Sequence, residues 1–505
     1  MRNVYVTVNT VMHFTGYILI VLGVLILIPI IPAVIYGEYS GGPRTILAFI
    51  IPAAVSLGAG LLLKKLFHEG RIYTLRAMLV CGMGWTLCSA VGALPFVIGI
   101  GSGYLDAYFE AMSGLTTTGI TMYTGLDLLP RSILFWRSLT QFLGGLGILS
   151  FFLIIAFKGA GAHKLYGAES HKIEMNRPVP GFFNTVKILW GIYLGFTAVI
   201  FLSLWAAGMS CFDGLCHSFT AVATGGYSPH DASIAFYRIN GIGNYRLIEY
   251  ITIAGMMMGG INFLVHYRVL TGNIKSLFDN IEMKYFWGLM SAFLILILAE
   301  RCLKMYPVMM SAEGGGWSAL EENFRNVLFQ VTSILTTTGF GTRDIAGSYF
   351  GHVGRILFLA MMFIGGCVGS TGGGFKVLRV AILSKLFGRE IFRLRAPAGS
   401  INKVIIDGSP VDIEELQRVA SLFFLWIVLL LFGGVVTAFL SEFGPVASLS
   451  GMFSALGNIG PCYIPVSELN QLNPLIKIVY IFGMLAGRLE LLPVIMLINI
   501  RAWKN

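Results

Sequence analysis

The stretch Leu335-Thr336-Thr337-Thr338-Gly339 decides the fold, because related stretches stand at three other places in the chain. Those three read Leu115-Thr116-Thr117-Thr118-Gly119, Ala221-Val222-Ala223-Thr224-Gly225 and Leu456-Gly457-Asn458-Ile459-Gly460. Alignment of their last glycines also aligns four upstream residues, namely Ser113, Phe219, Ser333 and Ser454. The glycines lie 106, 114 and 121 residues apart. Such self-similarity indicates one structural unit used four times.

Each of the four glycine turns ends a short apolar segment. These segments are 105–118, 213–224, 322–338 and 445–459. Crossing a bilayer takes about 20 apolar residues, so the short segments are predicted to enter the membrane and return. Ten longer apolar stretches are candidate spans: 11–36, 45–66, 73–100, 133–157, 183–207, 247–271, 284–306, 352–375, 416–440 and 475–499.

The composition agrees with a membrane protein. Of 505 residues, 56% are hydrophobic and only 12% are charged, against about 25% charged in soluble proteins. This excludes a soluble enzyme, a disordered chain and a nucleic-acid binder. The net charge of +10 has another explanation, since Lys and Arg concentrate in cytoplasmic loops. Their distribution places both termini in the cytoplasm, and the first apolar stretch is interpreted as a retained helix rather than a signal peptide.

The repeat predicts an all-α integral membrane fold. Four pseudo-symmetric units, each a span, a pore loop and a second span, surround a central pore and follow two extra helices. The predicted boundaries are 1–70 for the two leading transmembrane helices, 71–160 for the first pore repeat, 161–275 for the second, 276–403 for the third with a glycine-rich loop and a basic cytoplasmic segment, and 404–505 for the fourth.

The four turns suit a monovalent cation. An ion crossing hydrocarbon needs oxygen ligands in place of its water, and rings of backbone carbonyls supply them. Each short helix directs its partly negative C-terminal end toward the axis, and no carboxylate lies in the turns. The candidate filter residues are Thr117, Thr118, Gly119, Ala223, Thr224, Gly225, Thr337, Thr338, Gly339, Asn458, Ile459 and Gly460.

The whole chain resembles the membrane subunits of bacterial Trk/Ktr potassium uptake systems, most closely the TrkH type. Beside the four turns, the resemblance rests on Gln141–Gly147, Gly259–Phe263 and Gly365–Lys376. It implies K+ (with Rb+) as the transported ion, and Gly119 supports this, because relatives that pass Na+ tend to carry Ser there. Cys462, where glycine is expected, is a departure that lies past the filter.

The resemblance also implies partners and a location. It implies a homodimer in the bacterial cytoplasmic (inner) membrane, bound on its cytosolic side by a nucleotide-binding, TrkA-like regulatory subunit. The basic segment 376–403 suits such a subunit and equally suits anionic lipid. No organic cofactor, nucleic-acid partner or catalysis is expected in this chain, since no nucleophile, metal cluster or nucleotide motif is present.

A glycine-rich loop interrupts the span 352–375. We interpret it as a gate that obstructs the pore, with a glycine-packed helix crossing as the alternative. Its candidate residues are Gly369, Ser370, Thr371, Gly372, Gly373, Gly374 and Lys376. Phe375-Lys376 follows where a phosphate-binding loop needs Lys-Ser/Thr, so that motif is excluded.

Arg488 lies inside the last apolar span, where a charge is costly and points to function. The resemblance implies a position beneath the filter, where the cation would raise the barrier to ions. A structural ion pair is the alternative for Arg488, and Lys376 has a second interpretation as the cytoplasmic end of its span. Cys211 and Cys216 are interpreted as apolar thiols, with a disulfide between them as the alternative. For the function, the alternative to a gated conductor is a secondary transporter that couples K+ to H+ or Na+.

Overall fold

The structure is a computed structural model that describes residues 2–147, 182–311, 316–397 and 402–504. Within these ranges the regular structure is helical, apart from one short antiparallel hairpin in which β1 (Ile405–Ile406) pairs with β2 (Ser409–Pro410). The all-α membrane architecture predicted from the sequence is therefore confirmed. The ends of the first repeat and the start of the second, including basic residues Lys158, Lys164, Lys172 and Arg177, lie outside the described residues.

Three helices lead the chain, namely α1 (Arg2–Leu25), α2 (Ile30–Ile35) and α3 (Arg44–Leu66). The helices α1 and α3 cross closely because both present glycine at the contact. A Cβ added at Gly16 would lie 2.8 Å from the carbonyl oxygen of Gly60, and one added at Gly60 would lie 2.7 Å from that of Gly16. Small residues allow such close backbone approach between membrane helices. This pair packs onto the first repeat through α4.

The four repeats follow in order along the chain. The first contains α4 (Thr74–Gly92), α5 (Leu94–Ile100), α6 (Tyr104–Leu115) and α7 (Arg131–Gly145); the second α8 (Phe182–Ala206), α9 (Cys211–Val222), α10 (Ala235–Ile239), α11 (Tyr245–Gly260) and α12 (Phe263–Leu270); the third α13 (Ile281–Ser311), α14 (Gly316–Leu335), α15 (His352–Ile364) and α16 (Val377–Arg393); the fourth α17 (Ile413–Leu440), α18 (Pro445–Gly457), α19 (Val466–Leu469), α20 (Pro474–Arg488) and α21 (Leu492–Ile498). In each repeat the short helix before the turn, α6, α9, α14 or α18, is here called the pore helix.

Six helical segments in the described ranges are long and apolar enough to span a bilayer. They are Tyr5–Ile35, Arg44–Leu66, Thr74–Ile100, Phe183–Ala206, Ile281–Leu303 and Ile413–Leu440. A seventh candidate is the pair α11 and α12, which is bent by 105°. The remaining predicted spans are those that follow the turns, and each is a shorter or interrupted helix in the described residues.

Three of the predicted spans that follow the turns are interrupted, as the sequence analysis predicted for 352–375 but not for 247–271 and 475–499. The predicted span 247–271 is the bent pair α11 and α12, 352–375 is helical only to Ile364, and 475–499 is interrupted after Arg488. The span 133–157 is helical from Arg131 to Gly145, and its continuation beyond residue 147 lies outside the described residues.

Glycines lie where three of these spans meet a pore helix. A Cβ at Gly144 would collide with the carbonyl oxygen of Leu115, and one at Gly487 would collide with that of Leu456. Gly259 approaches the carbonyl oxygen of Val222 in the same way. Larger residues are therefore excluded at these three crossings between a span and the end of a pore helix.

Cys211 and Cys216 are both free, so the disulfide alternative is wrong. Both lie on the pore helix α9, five residues apart, where their side chains leave the helix in different directions. Cys216 is fully buried in the core, as expected of an apolar thiol, whereas Cys211 is exposed.

Candidate ion pathway

The four turns share one hydrogen-bond pattern, and it corrects the alignment of the second repeat. The N–H of Thr118 donates to the carbonyl of Ser113 (2.9 Å), and the N–H of Thr338 donates to that of Ser333 (2.8 Å). The N–H of Ile459 likewise donates to the carbonyl of Ser454 (3.0 Å). In the second turn the equivalent bond joins Gly225 to Thr220 (2.8 Å).

The second repeat is therefore shifted by one residue from the alignment expected above. Thr220, not Phe219, is the counterpart of the three serines, and Gly226, not Gly225, is the counterpart of Gly119. Ala223 keeps a right-handed helical conformation (φ −72°, ψ −8°) and caps the pore helix. It was wrong to place Ala223 in the filter turn, and the sequence alignment missed Gly226. With this correction, a hydroxyl residue stands at the same pore-helix position in all four repeats.

Backbone handedness alternates along each turn. The first residue is left-handed in every repeat, with φ of +52° at Thr117, +50° at Thr224, +59° at Thr337 and +54° at Asn458. The next residue has an ordinary negative φ, and the following glycine is again positive, from +77° at Gly226 to +108° at Gly460. Such alternation places successive N–H groups on one side and carbonyl oxygens on the other. Since the N–H groups bond back to the pore helix, the carbonyls face away from it.

The four turns contact each other in a closed cycle. A Cβ added at Gly119 would collide with the carbonyl oxygen of Gly225 in the second turn. The same holds for Gly226 against Thr338 of the third turn, and for Gly339 against Ile459 of the fourth. At Gly460 a Cβ would lie 3.0 Å from the carbonyl oxygen of Thr118, which returns to the first turn. Four backbone turns thus surround one axis, with carbonyl oxygens packed between them.

The ring is buried, and a nearby acidic side chain is paired with arginine. The side chains of Thr117, Thr224, Thr337 and Asn458 are 0% exposed. Glu110 on the first pore helix, also fully buried, accepts a hydrogen bond from Nε of Arg137 at 2.8 Å and from the N–H of Met122 at 2.9 Å. The Glu110 carboxylate is therefore a buried ion-pair member whose charge is balanced by Arg137.

Gln141 is a positioning residue that the sequence analysis quoted in a motif without assigning a role. Its Nε2 donates to the carbonyl oxygen of Gly225 at 2.6 Å, and its Oε1 accepts from the N–H of Tyr227 at 2.9 Å. A span of the first repeat therefore fixes the turn of the second. The only signal in the sequence is a buried-type amide just before the glycine pair Gly144-Gly145, which gives no hint of the partner.

The glycine-rich loop between α15 and α16 lies directly against the inner side of the turns. The Thr371 hydroxyl donates to the carbonyl of Val222 at 2.9 Å, and it accepts a hydrogen bond from the Thr224 hydroxyl at 3.0 Å. The N–H of Gly373 donates to the Thr337 hydroxyl at 2.7 Å. A Cβ at Gly373 would lie 2.7 Å from Cβ of Asn458. The loop thereby contacts the left-handed residue of three of the four turns.

Arg488 joins this loop to the first repeat. One guanidinium nitrogen donates to the carbonyl of Thr371 at 2.6 Å, and another donates to the carbonyl of Gly145 at 2.6 Å and to that of Gly144. Glu490, the nearest acid in sequence, forms an ion pair with Arg379. The contact between Arg488 and the glycine-rich loop agrees with the resemblance, whereas a position of Arg488 beneath a filter stays a prediction.

Lys376 is part of the folded loop. Its backbone is left-handed (φ +84°), its side chain is 7% exposed, and its ammonium donates to the carbonyl of Gly372. A lysine that only marked the cytoplasmic end of a span would extend into water. The two cations, Lys376 and Arg488, therefore both bind carbonyl oxygens of the same loop.

Comparison with known proteins agrees with this geometry. The sequence profile of the TrkH family, described as a cation transport protein, matches residues 44–502. The chain is 32% identical to the Trk system potassium uptake protein TrkH of Escherichia coli K12, over 98% of this chain and 100% of that protein. It is 33% identical to the TrkH of Halomonas elongata, over 91% and 92%.

The chain belongs to the TrkH family.

A solved structure supports the same assignment. The crystal structure of the potassium transporter TrkH from Vibrio parahaemolyticus matches with a TM-score of 0.83 and 28% identity, covering 98% of this chain and 99% of that one. The family resemblance and the multi-pass membrane architecture predicted from the sequence are confirmed. These relatives are named as transporters.

A charged cluster lies beside the second turn of this TrkH-family chain, on the side away from the glycine-rich loop. The His230 ring is hydrogen-bonded to the carboxylate of Asp127 and lies 3.5 Å from that of Asp213. It stacks on Phe236 with ring centroids 3.5 Å apart. Burial lowers the pKa of His230, but the hydrogen bonds and charges of Asp213 and Asp127 outweigh it and raise the pKa above its usual value.

This cluster predicts a pH-dependent stability. The protonated imidazole stabilises the folded state below its unfolded pKa of about 6.5, and this contribution disappears as pH rises through the higher folded pKa. We expect thermal unfolding of His230→Gln protein to lose that pH dependence, with an effect of about 0.5–1 kcal/mol. Differential scanning fluorimetry between about pH 5.5 and pH 9 measures it.

The matched control for this prediction is His68→Gln, since the side chain of His68 is exposed. That variant is expected to keep the wild-type pH dependence. An unfolding temperature of His230→Gln protein that changes with pH as in the wild type contradicts the assignment.

Proposed function

We propose that this chain is the ion-conducting subunit of a Trk-type potassium uptake system, with a gated, carbonyl-lined filter. The single observation that carries the proposal is the closed cycle of the four turns, from Gly119 through Gly226 and Gly339 to Gly460. Its relatives are named as potassium uptake proteins of Trk systems, which supports K+ as the transported ion.

The proposed filter acts by replacing water. A K+ ion that enters the ring exchanges its hydration shell for carbonyl oxygens of the four turns. The four pore helices end at Leu115, Val222, Leu335 and Gly457, so their partly negative ends point at the ring. Gly119 itself places no side chain in the ring. Backbone oxygens without a carboxylate favour a monovalent cation, and Rb+, close to K+ in size, is expected to pass as well.

The glycine-rich loop is proposed to close the pore on its inner side. It contacts three turns, and the Arg488 guanidinium holds it through Thr371. The positive charge below the filter opposes the entry of another cation. Opening then requires that the loop moves away from Thr224 and Thr337, which frees their hydroxyls.

The proposed setting is the bacterial cytoplasmic membrane, with both termini in the cytoplasm and the protein as a homodimer. A TrkA-like, nucleotide-binding regulatory subunit is the proposed cytosolic partner, since the relatives are named as parts of a system. The C-terminal half of α16 supports such contact, because its basic residues alternate with exposed apolar ones, among them Phe387 at 69% and Phe392 at 54%. Anionic lipid suits the same face.

Reconstitution of the purified chain in lipid vesicles tests the function. We expect flux of K+ and Rb+ to exceed that of Na+ and Li+ by at least about tenfold, which corresponds to about 1.4 kcal/mol in relative barrier height. Empty vesicles are the control. Equal flux of all four ions contradicts a selective filter, and K+ flux that follows an imposed proton gradient favours the coupled transporter instead.

A further inference from the structure

Glu282, in the first turn of α13, is buried and directed at the glycine-rich loop. Its side chain is 3% exposed, and its carboxylate accepts a hydrogen bond from the N–H of Val368 at 2.6 Å. A side chain from a neighbouring helix thus binds the chain immediately before residues Gly369–Lys376.

The bond to Glu282 matters because the N–H group of Val368 is shielded from water. Val368 is 3% exposed, and its neighbour Cys367 is fully buried. A buried N–H without a partner costs free energy, and bonds to a charged acceptor are the stronger kind. The position of the loop below the turns is therefore coupled to the position of the Glu282 carboxylate.

The helix that carries Glu282 is capped by the hairpin. The Asp407 carboxylate accepts a hydrogen bond from the N–H of Ile281 at 2.8 Å, at the first residue of α13. Asp407 lies in the turn between β1 and β2, with a left-handed backbone (φ +45°). The hairpin is also held by the Lys385 ammonium, which donates to the carbonyl of Ile405 at 2.7 Å. Two carboxylates in series therefore connect an exposed hairpin to the loop.

We propose that Glu282 is a latch that holds the glycine-rich loop closed, and that the Asp407 hairpin supports this latch from outside the pore. The proposal rests on the gated conduction proposed above. Glu282 acts through the loop and contacts no transported ion, so it is a positioning residue. Displacement of the hairpin, or loss of the hydrogen bond between Glu282 and Val368, shifts the loop toward its open position.

Glu282→Gln tests the latch. The amide oxygen is an uncharged and therefore weaker acceptor for the N–H of Val368, and the NH2 group cannot accept that bond at all. We expect basal K+ flux of this variant in vesicles to rise about tenfold, with unchanged K+/Na+ discrimination. We also expect faster amide hydrogen exchange across residues 365–376, which a purely structural role elsewhere in the chain would not produce.

Glu300→Gln is the matched control. Glu300 lies on the same helix α13 and accepts hydrogen bonds from the N–H groups of Val353 (3.2 Å) and Gly354 (2.8 Å), at the other end of α15. It is expected to keep wild-type flux and wild-type exchange in the loop. If both glutamine variants raise flux equally, the latch assignment is wrong.

Two further readouts keep the proposal testable. Asp407 is exposed, so Asp407→Ala is expected to fold even if Glu282→Gln does not, and it should raise loop exchange and basal flux in the same direction. Unchanged exchange in folded Glu282→Gln or Asp407→Ala protein overturns the latch. If wild-type protein conducts no K+, the proposed function fails, whereas exchange of the loop still decides the latch.

Discussion

Deletion of Gly369–Gly374 is expected to raise basal K+ flux by about tenfold or more, the gain available when a mostly closed gate loses its obstruction. The deletion removes the Thr371 contacts with Thr224 and Val222, the bond from Gly373 to Thr337 and the carbonyl that holds Arg488. Flux into vesicles without a regulatory subunit measures the effect.

The K+/Na+ ratio of this deletion variant should stay close to that of the wild type, because the turns keep their bonds to the pore helices. Thr371→Ala is a milder version, expected to raise flux in the same direction. Its control is Thr437→Ala, another fully buried threonine, whose hydroxyl bonds to Gly433 and Tyr480 away from the loop. Low flux in a well-folded deletion variant would show that the loop is not the gate.

The four turns were predictable because their signal is local. A threonine- and glycine-rich end on a short apolar helix is visible in the sequence, and its recurrence fixes the architecture. The register of the second turn was not predictable, because Thr224-Gly225-Gly226 contains two adjacent glycines. Only the hydrogen bonds and φ angles of the folded backbone show which glycine is the counterpart of Gly119. Gly226 has φ +77°, whereas Gly225 has a negative φ.

The supports of the turns and of the loop lie far away in sequence. Gln141 is 84 residues from Gly225, and Glu282 is 86 residues from Val368. Neither belongs to a repeated pattern, so periodicity carries no information about them. The loop was recognised from its glycines and Arg488 from the cost of a charge in an apolar span, but their mutual contact depends on how the third and fourth repeats meet.

The second large effect is expected from Gly119→Ser, which should lower K+/Na+ discrimination by about tenfold or more, or about 1.4 kcal/mol. Gly119 has φ +85°, a conformation that costs a residue with a side chain roughly 1–2 kcal/mol. Its Cβ would also collide with the carbonyl oxygen of Gly225. Relief of both strains moves the carbonyl oxygens of the filter. The widened site then admits Na+ together with part of its hydration water and no longer rejects it. Competition between Na+ and Rb+ uptake in vesicles measures the change.

Gly125→Ser is the control that separates these causes. Gly125 also has a left-handed backbone (φ +72°), but a Cβ there meets nothing within 4 Å. Its variant should therefore share the conformational strain and keep wild-type discrimination. Gly226→Ser should behave like Gly119→Ser, because its Cβ would meet the carbonyl oxygen of Thr338. Unchanged discrimination in folded Gly119→Ser and Gly226→Ser proteins would mean that ions pass elsewhere than through the ring of four turns.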